Sequence, residues 1–174
     1  IVLRDNSIVY QSAYGLAHLE RGEPLTVDHV LHMASVGKQV TGLAIMMLSE
    51  EGTVRYDAPV GDYVPELAHW GPDVTVRSLL THTSGLPDYD YFFDDLIDRS
   101  DQPTNADLLA VLADLPQTPN APGDFFEYSN PGYDLLGVVV ERASGQSFPD
   151  FMHARIFGPL GMRGTFSLPN PARR

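Results

Sequence analysis

The feature that most constrains this chain is an apolar segment of helical length that begins near Ser35 and ends at Gly52. Its apolar positions are Val36, Val40, Leu43, Ala44, Ile45, Met46, Met47 and Leu48. Most of these positions recur at helical spacing and would form one apolar side of a helix. Ile45 and Met46 extend that apolar surface almost all the way around the helix. Glycine is a common helix terminator. We therefore predict a buried central helix from Ser35 to about Glu51.

Two polar residues stand at the start of this predicted helix. Lys38 is the only lysine of the chain, whose ten other basic residues are arginines, and it follows Ser35 by three residues. That spacing brings both side chains onto one face of a helix. A serine hydroxyl becomes a good nucleophile when a nearby base takes its proton, and a neutral amine can be that base. Taken alone, the pair is equally typical of a helix-capping serine and a lysine that extends into solvent.

A second polar pair lies farther along the chain, where Tyr128 and Asn130 precede Pro131. Proline disfavours helical backbone at the residue before it, so we predict an extended Asn130 in a rigid turn that presents both side chains. A helix is expected to follow over 133–144 and to end at Gly145.

Shorter elements are expected elsewhere in the chain. Residues 1–14 predict a β-hairpin, because residues that favour strands flank a turn at 5–7. Further helices are predicted over 76–81 with Thr75 as N-cap, from Thr104 to Ala113, and over 148–157.

Together these motifs resemble those of the β-lactamase-related serine hydrolases, a group that includes class C β-lactamases, D-alanyl-D-alanine carboxypeptidases and family VIII esterases. Ser35-x-x-Lys38 and Tyr128-x-Asn130 are similar to the family's first two motifs. Residues 79–87 (Leu-Leu-Thr-His-Thr-Ser-Gly-Leu-Pro) and 157–162 (Phe-Gly-Pro-Leu-Gly-Met) match two further family stretches, in the family's order. The resemblance implies an α+β fold of the α/β-sandwich, β-lactamase/transpeptidase-like type, with an antiparallel sheet, flanking helices and a helical region.

The resemblance is incomplete in one respect. The family's third motif, a Lys- or His-led triplet that ends in Gly on a strand after the second motif, does not occur in residues 131–174. In the family, later strands pair with the N-terminal hairpin, and an isolated two-stranded sheet is marginal in water. We therefore expect residues 1–174 to be the N-terminal part of a single domain whose C-terminal strands are absent. Residues 1–34 would form the hairpin and its approach, and 35–174 a mainly helical region that carries the first two motifs.

The resemblance also implies the chemistry. Ser35 would attack an ester, amide or β-lactam carbonyl and form a covalent acyl-enzyme. Two general bases remain open: a neutral Lys38, or a Tyr128 phenolate whose pKa is lowered by a charged Lys38. Asn130 would orient Lys38 and bind the substrate, and the backbone N–H of Ser35 would donate to the oxyanion. The second donor comes from a later strand in the family, so residues 1–174 by themselves are expected to be a poor catalyst or none.

Two rival hypotheses remain beside the hydrolase. One is a non-hydrolytic penicillin-binding or sensor module that keeps the pocket but does not turn over. The other is an inactive fragment. Steady hydrolysis would exclude the first, and a sharp two-state unfolding transition would contradict the second.

Composition limits the partners. A net charge of −12 argues against nucleic acid and anionic membrane surfaces. No apolar run reaches the roughly 18 residues of a membrane span, and the lack of cysteine excludes disulfides and thiolate zinc sites. A small-molecule or peptide substrate is expected, with no metal and no organic cofactor. Oligomeric state stays open, as does a periplasmic, secreted or cytoplasmic location, since the sequence shows no signal peptide.

The remaining candidate residues have plainer interpretations. His82 is expected to be structural, and His29 and His32 lack a carboxylate at metal-site spacing. An acidic stretch lacks the glycine and terminal glutamate of a calcium loop, so a solvated loop is expected. Its members are Asp88, Asp90, Asp94, Asp95, Asp98 and Asp101. By resemblance, the aromatic residues of this region would rim the active site, namely Tyr89, Tyr91, Phe92 and Phe93.

Overall fold

The computed structural model describes residues 1–92 and 105–167, and it begins with two small antiparallel sheets. Strand β1 (Val2–Arg4) pairs with β2 (Ser7–Tyr10), and β3 (Leu16–His18) pairs with β4 (Glu23–Pro24). The predicted hairpin over 1–14 is therefore confirmed. Its turn residues Asp5 and Asn6 have φ values of 49° and 59°, as a tight hairpin turn with two left-handed central residues requires. Every residue of β1 and β2 is exposed, so the core lies elsewhere.

The other regular elements of the described chain are helices. The α-helices are α1 (Lys38–Glu50), α2 (Val76–Leu80), α3 (Asn105–Asp114), α4 (Asn130–Ser144) and α5 (Phe148–Met152). Short 3₁₀ helices cover Ala34–Gly37, Val60–Asp62, Pro65–Trp70 and Tyr89–Tyr91, and a π-helical turn, His153–Phe157, extends α5. Small antiparallel sheets beside a helical region agree with the predicted α+β class. Within the described residues, no helix is both long and apolar enough to cross a membrane.

Local sequence explains several helix boundaries. The Ser78 N–H donates to the Thr75 hydroxyl and the Thr75 N–H donates to the Ser78 hydroxyl, which closes a capping box at the start of α2. Gly145 ends α4 with a φ of 70°, in the left-handed region that glycine adopts without strain. The predicted cap Thr104 lies outside the described residues.

Helix α4 is the centre of the core and packs against α1, α2, α3 and α5. Its buried side includes Leu135, Leu136 and Val139. The helix begins at Asn130 and not at 133, so the prediction of an extended Asn130 is wrong. Pro131 lies in the first turn, where its missing N–H needs no partner, and Ser129 is the extended residue that caps the helix.

Helix α1 is buried on one side only, which contradicts the prediction of a helix buried all round. Ala44, Ile45 and Leu48 are buried, whereas Val36 and Met46 keep 53% and 51% of their surface exposed. An apolar pattern shows which sides of a helix can be buried, but the number of neighbouring elements decides how many are. Here α1 packs against α4 through one side.

Two loops are joined by backbone hydrogen bonds and together carry the polar motifs. The Glu127 N–H donates to the His82 carbonyl at 2.8 Å, and the Asn120 N–H donates to the Gly85 carbonyl at 3.1 Å. Residues 82–88, which follow α2, thus lie against residues 120–129, which precede α4. The consequence is that Tyr128 and Asn130 are held beside the end of α2.

Candidate active site

Ser35 and Lys38 lie where the 3₁₀ helix Ala34–Gly37 passes into α1. Ser35 is exposed and Lys38 half-buried, and Lys38 Nζ is 3.5 Å from Ser35 Oγ. The hydroxyl and the amine therefore meet as their spacing predicts. Ala34, just before Ser35, has a φ of 45°, a left-handed conformation that costs a non-glycine residue about 1–2 kcal/mol. Strained residues of this kind cluster at functional sites.

Tyr128 reaches the same serine from the loop that precedes α4. Its hydroxyl is 2.6 Å from Ser35 Oγ, at a separation of 93 residues in sequence. Lys38 Nζ lies 4.8 Å from the centre of the Tyr128 ring. The neighbouring Lys38 side chain, followed by the hydrogen bond with Ser35, lowers the pKa of Tyr128. A phenol with a lowered pKa loses its proton, and so becomes a phenolate that can act as a base, at a pH closer to neutrality.

Asn130 bridges Lys38 to a carboxylate. Its Oδ1 accepts a 2.5 Å hydrogen bond from Lys38 Nζ. Its Nδ2 lies 3.1 and 3.0 Å from the two carboxylate oxygens of Asp88, and its backbone N–H donates to Asp88 Oδ1 at 3.2 Å. The contact with Lys38 agrees with the orienting role that the resemblance implies, and substrate binding by Asn130 stays a prediction.

His82 packs against Tyr128 and bonds to the residue that follows it. Its ring stacks on Tyr128 with centroids 4.6 Å apart, and its Nδ1 accepts the Ser129 N–H at 3.1 Å. That bond requires a ring nitrogen without a proton, so the imidazole is neutral with its hydrogen on Nε2. Burial, followed by the charge of Lys38, lowers the pKa of His82. These contacts agree with the structural role expected for this histidine.

Three residues around Lys38 were not singled out from the sequence. Tyr133 presents its ring 5.5 Å from Lys38 Nζ. Asp134 accepts a hydrogen bond from the Tyr89 hydroxyl, and burial raises the pKa of Asp134. Tyr133 and Asp134 follow Asn130 by three and four residues on one helix, so their spacing could have suggested that they share its face.

Asp88 is the third, and it corrects the expectation of a solvated acidic loop. It is half-buried, and besides Asn130 it accepts the Tyr89 N–H at 2.9 Å. No local pattern distinguishes it from its acidic neighbours. The rest of the stretch lies outside the described residues: the side chain of Asp90, and Asp94, Asp95, Asp98 and Asp101.

The expected aromatic rim is only partly visible. Tyr89 is bonded to Asp134, and Phe92 packs against the core. Tyr91 remains 60% exposed, and Phe93 lies outside the described residues. Of the described members of this set, Tyr91 is the exposed one, and its contact with a substrate stays a prediction.

Of the two histidines considered as metal ligands, His29 makes other contacts. His29 Nδ1 accepts the Thr26 N–H at 3.0 Å, and its Nε2 is 3.6 Å from the Glu23 carboxylate. Across residues 1–92 and 105–167, no group of three or more His, Asp and Glu side chains is arranged to hold a metal ion.

Comparison with known proteins identifies similar sequences and folds. The family model described as Beta-lactamase matches residues 1–174. Penicillin-binding protein 4* of Bacillus subtilis is 37% identical over 159 residues, which cover 91% of this chain and 35% of that protein. Esterase EstB of Burkholderia gladioli is 40% identical over an alignment of 178 positions, which covers 94% of this chain and 45% of the esterase.

A solved structure shows the same fold. The octameric penicillin-binding protein homologue from Pyrococcus abyssi matches with a TM-score of 0.79 and 35% identity, over 91% of this chain and 37% of that one. This likeness confirms the predicted β-lactamase/transpeptidase-like fold class. The chain spans between about a third and a half of the length of these relatives.

Proposed function

The chain belongs to the β-lactamase family, and on this premise we propose that Ser35 is the nucleophile of a serine hydrolase that works through a covalent acyl-enzyme. Lys38, Tyr128 and Asn130 complete the catalytic group, with Tyr128 as the general base.

One observation carries the choice of base. Tyr128 Oη is 2.6 Å from Ser35 Oγ, whereas Lys38 Nζ is 3.5 Å away and makes a shorter hydrogen bond to Asn130. Proton transfer needs a heavy-atom separation of about 2.6–3.2 Å, which Tyr128 meets. The lowered pKa of Tyr128 supports the same choice, because a nearby lysine stabilises the phenolate. Lys38 then acts as the cation that keeps Tyr128 in its phenolate form.

The reaction proceeds in two acyl transfers. The Tyr128 phenolate takes the Ser35 hydroxyl proton while Oγ bonds to the substrate carbonyl carbon, and the carbonyl oxygen becomes an oxyanion. When the intermediate collapses, the bond to the leaving alcohol or amine breaks and Tyr128 returns the proton to it. Water then attacks the acyl-serine with Tyr128 again as base, and Ser35 recovers a proton as the carboxylic acid leaves.

The backbone at Ser35 supplies a group for the oxyanion. Ser35 lies in the first turn of the 3₁₀ helix Ala34–Gly37, where N–H groups have no intrahelical acceptor. An N–H aimed at developing negative charge stabilises the transition state, and the loss of one such donor costs on the order of 10²–10³ in rate.

The substrates proposed are esters, amides and β-lactams. All three present a carbonyl carbon to Ser35 and release a group that Tyr128 can protonate. The names of the similar proteins, an esterase and penicillin-binding proteins, support carbonyl substrates of these kinds.

The test is intact-mass analysis after incubation with a fluorophosphonate probe. The reaction needs only an activated serine, since Oγ displaces fluoride from phosphorus. We expect one adduct, lost in Ser35→Ala and slowed by about 10²–10⁴ in Lys38→Ala and Tyr128→Phe. Ser49→Ala is the matched control, because that serine lies at the far end of α1, about 20 Å away. A folded protein without an adduct at Ser35 would overturn the proposal.

A second candidate function is a protein that is acylated but releases the acyl group slowly. The 37% identity to a penicillin-binding protein favours this variant. The same mass experiment with a β-lactam distinguishes this slowly deacylating protein from a hydrolase. A Ser35 adduct that persists for hours indicates the penicillin-binding module, and an adduct that decays within seconds to minutes while product accumulates indicates a hydrolase.

A further inference from the structure

We propose, on the basis of the proposed function, that Asp88 is a positioning residue that sets the orientation of the Asn130 side-chain amide and, through it, the position of Lys38. The side-chain hydrogen bonds of Asp88 go to Tyr89 and Asn130 and not to Ser35. Its effect on the reaction is transmitted through a single amide group.

The hydrogen-bonding capacities of the three side chains permit one arrangement. A carboxylate only accepts hydrogen bonds, and a lysine ammonium only donates them. Asn130 lies between the two, with Nδ2 within 3.1 Å of both Asp88 oxygens and Oδ1 at 2.5 Å from Lys38 Nζ. If the amide rotated by half a turn, Oδ1 would face the carboxylate and the NH₂ group would face the ammonium. Both contacts would then be repulsive.

The carboxylate is itself held firmly in place. Asp88 Oδ1 accepts the Tyr89 N–H at 2.9 Å and caps the 3₁₀ helix Tyr89–Tyr91. The preceding residue is fixed as well, because the Ser129 hydroxyl donates to the Pro87 carbonyl at 3.2 Å. Asp88 therefore joins the loop 82–88 to the first turn of α4, and the amide that it orients cannot drift with a mobile side chain.

The orientation of the Asn130 amide determines where the Lys38 ammonium lies beside Tyr128. Lys38 stays within reach of Ser35 and the Tyr128 ring because Asn130 presents an oxygen to it. Without the carboxylate, the Asn130 amide is free to turn its NH₂ group toward Lys38 and displace the ammonium. A displacement of about 1 Å at a catalytic group can cost on the order of 10²-fold in rate.

A plainer role for Asp88 must be separated from this one. Its Oδ1 also accepts the Asn130 backbone N–H at 3.2 Å, and a negative charge at a helix N-terminus stabilises the helix. Asp88 could therefore serve only to start α4. The two roles differ in one respect: the backbone bond survives when the Asn130 side chain is removed, and the amide contact does not.

The experiment is a double-mutant cycle on the rate constant for fluorophosphonate labelling of Ser35 in the full chain. Asp88→Asn keeps an oxygen for the Tyr89 and Asn130 N–H groups but no longer dictates the amide orientation. We expect it to slow labelling about 10- to 100-fold, and to have no further effect when combined with Asn130→Ala. Asp57→Asn, at an exposed carboxylate paired with Arg77, is the control and leaves the rate unchanged.

Two kinetic results would overturn the proposal. One is unchanged labelling in Asp88→Asn, and the other is an equal slowing by Asp88→Asn with and without the Asn130 side chain. The second result would assign Asp88 to the start of α4. Failure of the unsubstituted protein to label at Ser35 is a different outcome, because it concerns the proposed function and not Asp88.

In that case, a measurement that does not depend on labelling tests whether Asp88 orients the Asn130 amide. The side-chain NH₂ pair of Asn130 is identified in a ¹⁵N–¹H spectrum by its loss in Asn130→Ala. Hydrogen bonding to a carboxylate moves these protons downfield, so we expect the pair to shift upfield in Asp88→Asn and not in Asp57→Asn. An unmoved pair in Asp88→Asn would show that the carboxylate does not hold the amide.

Discussion

Gly85 holds together the two loops on which the site rests, and its substitution is the sharpest test of the fold around that site. Its φ is +79°, and a Cβ added there would lie 2.0 Å from the carbonyl oxygen of Asn120. Ordinary contacts of this kind exceed about 3.4 Å, so the Asn120 backbone must move by more than 1 Å. Gly85→Ala therefore forces apart residues 82–88 and 120–129.

The expected loss of stability can be worked from three contributions. An alanine at a left-handed φ costs a net of about 1 kcal/mol, because the backbone strain is partly offset by the lower conformational entropy of an unfolded chain with one glycine fewer. Overpacking against a backbone that resists movement adds about 1–3 kcal/mol. Disruption of the hydrogen bond from the Asn120 N–H to the Gly85 carbonyl, and of that from Thr118 Oγ1 to the Asn120 carbonyl, adds about 1–3 kcal/mol. We expect Gly85→Ala to lower the free energy of unfolding by about 3–7 kcal/mol.

Gly52→Ala is the matched control. Gly52 has a φ of +75°, and a Cβ there meets nothing within 4 Å among the described residues. It therefore carries the backbone cost without the collision, and we expect a loss of about 1 kcal/mol.

Urea unfolding followed by tryptophan fluorescence measures both variants. Trp70 is the only tryptophan of the chain, is 7% exposed and donates to the Leu115 carbonyl at 3.2 Å. Its emission therefore reports loss of the core. If Gly85→Ala and Gly52→Ala lower the free energy of unfolding by the same amount within about 0.5 kcal/mol, the close approach of the two loops is refuted.

Three further predictions concern the site and the core. The rate of fluorophosphonate labelling at Ser35 should rise with pH and level off below pH 10, because the lowered pKa of Tyr128 makes its phenolate available early; an inflection at or above pH 10 would contradict Tyr128 as base. His82 is stabilising when neutral, and its pKa is lowered in the folded state. Its contribution to the free energy of unfolding is therefore complete above about pH 6.5 and is lost as pH falls from there through the folded-state pKa. His82→Gln should flatten the acid side of the stability curve, and equal pH dependence in both proteins would contradict the lowered pKa of His82. Phe151→Ala should lower the free energy of unfolding by about 3–5 kcal/mol in the same urea assay, since Phe151 is fully buried; a loss below 1 kcal/mol would place it outside the core.

The proposed catalytic group illustrates what can be inferred from residue order alone. Ser35 and Lys38 are three residues apart, and this spacing predicts their 3.5 Å contact as soon as a helix is assumed. Tyr128-x-Asn130 is identified by its similarity to a family motif. Its arrival at Ser35, across 93 residues, followed from resemblance and not from any local rule.

The residues that sequence reasoning missed share a physical cause. Asp88 stands among several aspartates with nothing local to distinguish it, and it acquires a role only because backbone pairing carries the loop 82–88 against residues 120–129. Its partner Asn130 is 42 residues away. Such a contact depends on how two loops close, and hydrophobic periodicity carries no information about that.

Local sequence determined the elements of this protein: the cap at Thr75, the stop at Gly145, the hairpin turn at 5–7 and the helix after Ser35. These depend on interactions among residues within about one helical turn or one tight turn of each other. The tertiary structure alone decided that α1 is buried on one side and that a histidine supports Tyr128. It also decided that an aspartate holds the amide beside Lys38. Each of these depends on which distant surfaces come into contact, and that is set by packing of the whole core around α4.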